Sequence, residues 1–135
     1  MDHSSDNSSI KRHFTKTPWE SQVGYCRAIR AGNQIFISGT APVDDEGNTF
    51  APNDGYGQAK RCFQIIRETL HAMGADLSNV VRTRMYVTDI SRWEDYGRAH
   101  QEAMGAYPPA TAMVEVRALI NPEMLIEIEV DALVF

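Results

Sequence analysis

Met124-Leu125-Ile126-Glu127-Ile128-Glu129-Val130-Asp131-Ala132-Leu133-Val134 decides how this chain folds. Ile126, Ile128, Val130, Ala132 and Val134 alternate with Glu127, Glu129 and Asp131. That is the period of a strand with one apolar and one acidic face. Just upstream, Pro108-Pro109-Ala110-Thr111-Ala112-Met113-Val114-Glu115-Val116-Arg117-Ala118-Leu119 alternates too, with Met113, Glu115 and Arg117 on one face and Ala112, Val114 and Val116 on the other. Ile120-Asn121-Pro122-Glu123 between them reads as a loop, because proline cannot donate to a ladder and asparagine tolerates turn geometry. A carboxylate-bearing face at the end of a domain is either solvated or half of a site.

Working outward, Val80 to Val87 predicts a strand, with Val81, Thr83, Met85 and Val87 opposite Arg82, Arg84 and Tyr86. Ser91-Arg92-Trp93-Glu94 matches a capping box and predicts a helix from about Arg92 to Met104, its buried side Trp93, Tyr96, Ala103 and Met104. A longer helix is predicted from Tyr56 to Met73, where Ala59, Cys62, Phe63, Ile66, Leu70 and Met73 keep helical spacing and Gly74 stands at the position of a left-handed cap. Tyr25-Cys26-Arg27-Ala28-Ile29-Arg30 and Gln34-Ile35-Phe36-Ile37-Ser38-Gly39 form a hairpin turned by Ala31-Gly32-Asn33, and Asp44 to Asn48 is a surface loop. Pro18-Trp19-Glu20 opens the ordered part. Met1 to Lys16, polar and serine-rich, is expected to be a flexible tail, leaving residues 17–135 as a single domain. The order β-β-α-β-α-β-β predicts an α+β fold, a mixed sheet with two helices on one face. The other face carries Glu, Arg, Met and Thr, a mixture that identical subunits can cover in a closed homo-oligomer.

At 135 residues, 43% hydrophobic and 23% charged, the chain is globular. No apolar run approaches the roughly 20 residues of a bilayer span, and no signal pattern opens the chain, so no membrane contact is expected. A net charge of −5 without any basic block argues against a nucleic-acid partner. Two cysteines make no disulfide framework, which fits the cytoplasm. Cys62 belongs to the buried helix stripe, and Cys26 has no activating base nearby. The four histidines are dispersed without metal-ligand spacing, and His100, sharing a helix with Trp93 and Tyr96, reads as structural. There is no phosphate-cradling loop and no nucleophile elbow. Neither metal nor cofactor is expected.

Ser38-Gly39-Thr40-Ala41-Pro42, the long helix, and the ending from Pro109-Ala110-Thr111 to Ile126-Glu127-Ile128-Glu129 together resemble the RidA (YjgF-like) family over residues 17–135. The resemblance implies a chorismate-mutase-like fold and a homotrimer whose sheets line a central barrel, with small-molecule clefts between subunits. Members of its best-characterised branch hydrolyse reactive 2-imino or enamino acids to 2-keto acids and ammonia without metal or cofactor. Older names for relatives include an endoribonuclease and a translation inhibitor. Carried over residue by residue, Tyr25 covers the ligand, Ser38 and Gly39 line the cleft, and Glu127 positions a water. Thr111 stands where the active deaminases carry arginine in a Pro-Ala-Arg motif, and Met113 replaces a common cysteine.

That departure has a size. A forked arginine makes two charge-assisted hydrogen bonds of about 1.5–3 kcal/mol each, so its loss weakens carboxylate binding by roughly a hundredfold or more. Arg27, on the strand of Tyr25, is a nearer substitute than Arg117, which lies about 20 Å from Thr111 along its strand at roughly 3.3 Å per residue. The expectation is therefore a RidA-like homotrimeric hydrolase of the deaminase type acting on small reactive imines or enamines. Glu127 and Tyr25 would carry the chemistry, and Ser38, Gly39, Thr111, Met113 and Arg27 would bind. The alternatives are a trimer that binds or senses a metabolite without turnover and, less favoured by the charge balance, a nuclease. The plainer reading of each residue stays beside the functional one: cross-strand pairing for Glu127, a subunit contact for Tyr25, hairpin closure for Ser38 and a bend for Gly39.

Overall fold

A computed structural model describes residues 9–135. Its six strands make one mixed sheet. They are β1 (Ile10–His13), β2 (Ala28–Ala31), β3 (Gln34–Thr40), β4 (Val80–Val87), β5 (Ala110–Glu115) and β6 (Ile126–Leu133), in spatial order β1-β2-β3-β6-β4-β5. Three α-helices accompany them: α1 (Pro18–Val23), α2 (Gly55–Ala72) and α3 (Trp93–Met104). Neighbouring strands run antiparallel except β4 and β5, whose parallel pairing needs the crossover that α3 supplies. The fold is the expected α+β arrangement, and among the described residues no helix is long and apolar enough to cross a membrane.

The alternation of β6 is realised: Ile126, Ile128, Val130 and Ala132 are at most 2% exposed. They meet Ile35 and Ile37 of β3 and Met85 and Val87 of β4, beneath Cys62, Phe63, Ile66 and Leu70 of α2 and Tyr96, Ala99 and Met104 of α3. Each such aliphatic side chain contributes about 1.5–3 kcal/mol on burial. The opposite face is open. There Tyr86 Oη donates to Glu129 (2.5 Å), Arg84 pairs with Asp131 (3.3 Å), and Phe36 and Val114 are exposed.

Helix α2 begins where the Asp54 carboxylate accepts the Gly57 N–H (2.9 Å) and ends at Gly74, whose φ of +82° is the left-handed cap read from the sequence. Buried Gln58 on α2 receives the Leu125 N–H (2.7 Å) and donates to the Glu123 carbonyl (2.9 Å), tying the loop before β6 to the helix layer.

Several local expectations are corrected. Residues 1–8 of the expected tail lie outside the described residues, but Ile10–His13 is a strand paired with β2. Its Ile-Lys-Arg-His sequence has no apolar alternation to announce it, since the pairing rests on backbone hydrogen bonds. Pro18–Val23 is helical, with proline in the first turn and Gly24 (φ +92°) as its stop. The hairpin's first strand consequently starts at Ala28 rather than Tyr25. In β4 a register shift between Val80 and Arg82 turns Val80 inward and leaves Val81 41% exposed. Ser91 does not cap α3. Its hydroxyl donates to Asp89 (2.6 Å) in a single 3-10 turn over Ile90–Arg92, and the helix then starts with Trp93 56% exposed.

Candidate functional site

The cleft is built from the segment linking α1 to β2. The Glu20 carboxylate, 3% exposed, accepts the Thr15 N–H (2.9 Å), the Thr15 hydroxyl and the Thr17 hydroxyl (3.0 Å), which fastens α1 against the chain before it. Gly24 (φ +92°) then reverses the backbone, and Tyr25, Cys26 and Arg27 lead into β2. Arg27 is held on both sides, its N–H on the His13 carbonyl (2.8 Å) and its carbonyl on the Ser38 N–H (3.0 Å). The Ser38 hydroxyl donates to the Cys26 carbonyl (2.8 Å), so it closes the hairpin while lining the cleft.

Opposite lies the β3–β6 pairing, where the register shifts between Ile37 and Thr40. This irregularity carries Gly39 against Glu127. A β-carbon at position 39 would stand 2.3 Å from the Glu127 Oε2 atom, so only glycine permits this approach. Tyr25, Arg27, Ser38, Gly39 and Glu127 together line a cavity of about 600 Å³, with Trp19, Thr40, Ile65, Ile120, Met124 and Glu129 among the other walls. The Arg27 side chain is 7% exposed, donates from Nη2 to the Gly39 carbonyl (2.5 Å), and lies with Cζ 5.8 Å from the Tyr25 ring centre.

The electrostatics concentrate on Glu127. Burial pushes its carboxyl above the ordinary glutamate range, the Arg27 charge pulls it partly back, and Glu129 raises it again. A carboxyl whose proton affinity is raised in this way is a better proton acceptor than a solvated glutamate. Beneath the floor, Cys62 is fully buried and its thiol donates to the Thr40 carbonyl (3.3 Å). Burial, then the charge of Glu127, holds that thiol strongly protonated, so it is no nucleophile.

Thr111 and Met113 stand elsewhere, on β5 at the sheet's edge, and do not line this cavity within one chain. Thr111 pairs in register with Thr83. The two hydroxyls are 2.6 Å apart, and the buried Thr83 hydroxyl is 2.8 Å from Nε2 of His100, whose pKa burial lowers. Arg117 lies past the end of β5, exposed and outside the cavity. The reading of the sequence missed the contributions of Trp19, Ile120 and Met124. The Pro18 start and Gly24 stop of α1 were the signal for the first; nothing local marks the other two. Among the described residues no three His, Cys, Asp or Glu side chains are grouped as a metal ion would need.

A six-stranded α+β sheet with an acid-bearing cleft beside its hairpin defines the class, and related proteins give the family. Residues 15–134 match the family described as Endoribonuclease L-PSP. The chain is 34% identical over 108 residues to a RutC family protein of Pyrococcus abyssi, covering 80% of this chain and 84% of that one. It is 30% identical over 123 residues to Reactive Intermediate Deaminase A, chloroplastic, of Arabidopsis thaliana, covering 89% of this chain and 66% of the relative. The crystal structure of Rv2704 from Mycobacterium tuberculosis, a member of the YjgF/YER057c/UK114 family, superposes with a TM-score of 0.85 at 43% identity over 93% of this chain and all (100%) of that one. This chain belongs to the RidA (YjgF-like) family.

Proposed function

We propose that the protein is a homotrimeric hydrolase of small reactive imines or enamines, with Glu127 as its proton-transferring group. The observation that carries this is the Glu127 carboxyl, set into the cleft wall against Gly39 with its proton affinity raised by burial. Glu127 takes a proton from a water as the oxygen adds to the C=N carbon, and the nitrogen gains that proton. Glu127 then carries the hydroxyl proton of the adduct to the nitrogen as the C=O bond forms and the C–N bond breaks, leaving a ketone and ammonia. Tyr25 covers the ligand, and the strand ends at Ser38 and Gly39 hold its polar side. Kinship with a Reactive Intermediate Deaminase supports the reaction class. The open sheet face, with Phe36 and Val114 uncovered, is the surface three copies would bury as a barrel. The outer edge of β5 would then bring Thr111 and Met113 to the seam between subunits.

The test is to generate 2-iminopropionate and bulkier analogues in situ and follow keto-acid release by the wild type, Glu127→Gln and Thr111→Arg. Turnover by the wild type that disappears with Glu127→Gln is expected. Turnover only in Thr111→Arg would mean that this chain has left the imino-acid substrate. Silence in all three, with a metabolite retained on purification, would favour a binding protein.

A further inference from the structure

We propose that the Arg27 guanidinium is the anion anchor of the cleft, and that the cleft takes a monocarboxylate bearing a bulky apolar side chain. The assignment rests on the cleft identified above as the reaction site and names the ligand class that it receives. Arg27 is 7% exposed, yet only one of its guanidinium nitrogens, Nη2, has a hydrogen-bond acceptor, the Gly39 carbonyl. Its Nε is buried with no partner at all. Among the described residues it has no ion-pair partner either. A guanidinium taken out of water with a donor unsatisfied, and with Glu127 felt only through space rather than in a direct ion pair, is a standing cost to the fold. It is relieved when a carboxylate enters the cavity that the residue lines, because a carboxylate accepts the fork of donors in one plane.

The rest of the cavity limits what accompanies that carboxylate. With Arg61 paired to Asp45, the carboxylates of Glu68, Glu127 and Glu129 leave the lining acidic and oppose a second negative charge, so the ligand carries one. The volume of about 600 Å³ is far more than a three-carbon acid fills. Trp19, Val23, Ile65, Ile120 and Met124 line it, and the first two and Ile120 are 46%, 72% and 66% exposed at its mouth. An aromatic or branched side chain on the ligand removes this surface from water.

Three compounds separate the two halves of the proposal when titrated calorimetrically into the full-length protein. Phenylpyruvate has both features, phenylacetone lacks the carboxylate, and pyruvate lacks the ring. Phenylpyruvate is expected to bind the wild type at least roughly tenfold more tightly than either of the others. Arg27→Gln is expected to reduce phenylpyruvate to the affinity of phenylacetone while leaving phenylacetone unchanged, and Arg27→Lys to keep part of the difference. Should Arg27→Gln fail to fold, the wild-type comparison of acid with ketone decides alone. Equal binding of phenylpyruvate and phenylacetone, undiminished phenylpyruvate binding by Arg27→Gln, or no binding of any compound overturns the anchor. Equal binding of pyruvate and phenylpyruvate overturns the apolar specificity. The expected pattern without imine turnover leaves the anchor standing and removes the hydrolase; turnover without the pattern does the reverse.

Discussion

Replacing Gly39 by alanine probes the site at its narrowest point. The new β-carbon would lie 2.3 Å from Oε2, 2.9 Å from Cδ and 3.3 Å from Cγ of Glu127. Ordinary contact begins at 3.4 Å, so the carboxyl oxygen must retreat by about 1.1 Å, the difference between 3.4 and 2.3. The retreating atoms are the end of a flexible side chain rather than backbone, and Gly39 is not in the left-handed region. Off-rotamer strain in Glu127 of about 0.5–1.5 kcal/mol is therefore set against about 0.4–1 kcal/mol gained from a less flexible unfolded chain. The melting temperature should stay within about 5 °C of the wild type. The reacting geometry should not survive, since misplacement of about 1 Å can cost on the order of a hundredfold in rate. Keto-acid release measured beside thermal unfolding tests both halves, and NMR of carboxyl-labelled glutamate should show Glu127 titrating closer to an ordinary glutamate as it swings out of its slot. The double variant with Glu127→Gln should be no slower than Glu127→Gln alone. Wild-type turnover with an unmoved Glu127 titration, or loss of the fold, would refute this reasoning.

Further outcomes follow from neighbouring contacts. The folded pKa of Glu127 is raised above its ordinary 4.5, so its contribution to stability is fully present below that value and lost as pH rises through the folded pKa. Glu127→Gln should thus gain stability relative to wild type across that window in urea melts, and a pH-independent difference would count against the burial. Thr83→Val removes the hydroxyl joining Thr111 to His100 and should cost about 1–3 kcal/mol in chemical denaturation. Glu20→Ala frees three donors and loosens α1, so phenylpyruvate affinity should fall together with about 2–3 kcal/mol of stability. Calorimetry that shows ligand affinity untouched would separate α1 from the cleft.

The elements that could be read from the sequence are those whose causes are local. Strict alternation gives β6, helical spacing and a closing glycine give α2, and both lie where the periodicity puts them. Helix α1 escaped because its anchor is Glu20 folding back onto Thr15 and Thr17, a buried charge that composition reads as surface. β1 escaped because an edge strand is held by main-chain pairing and needs no side-chain pattern. In the site, Tyr25, Arg27, Ser38, Gly39 and Glu127 do share one cavity. The parallel register that sets Thr111 on Thr83, and through it near His100, depends on how two distant strands align and leaves no mark in either alone.

The thiol under Thr40 turns the cleft floor into a clock. Cys26 is partly accessible and Cys62 is sealed, and these are the chain's two cysteines. A disulfide reagent added to the native protein titrates the first promptly and must wait for the second until the layer joining β3 to α2 parts. The lag between the two absorbance steps therefore times how often the base of the pocket opens. A molecule that binds the closed cleft more tightly than the opened one lengthens that lag, so occupancy is read without label or turnover.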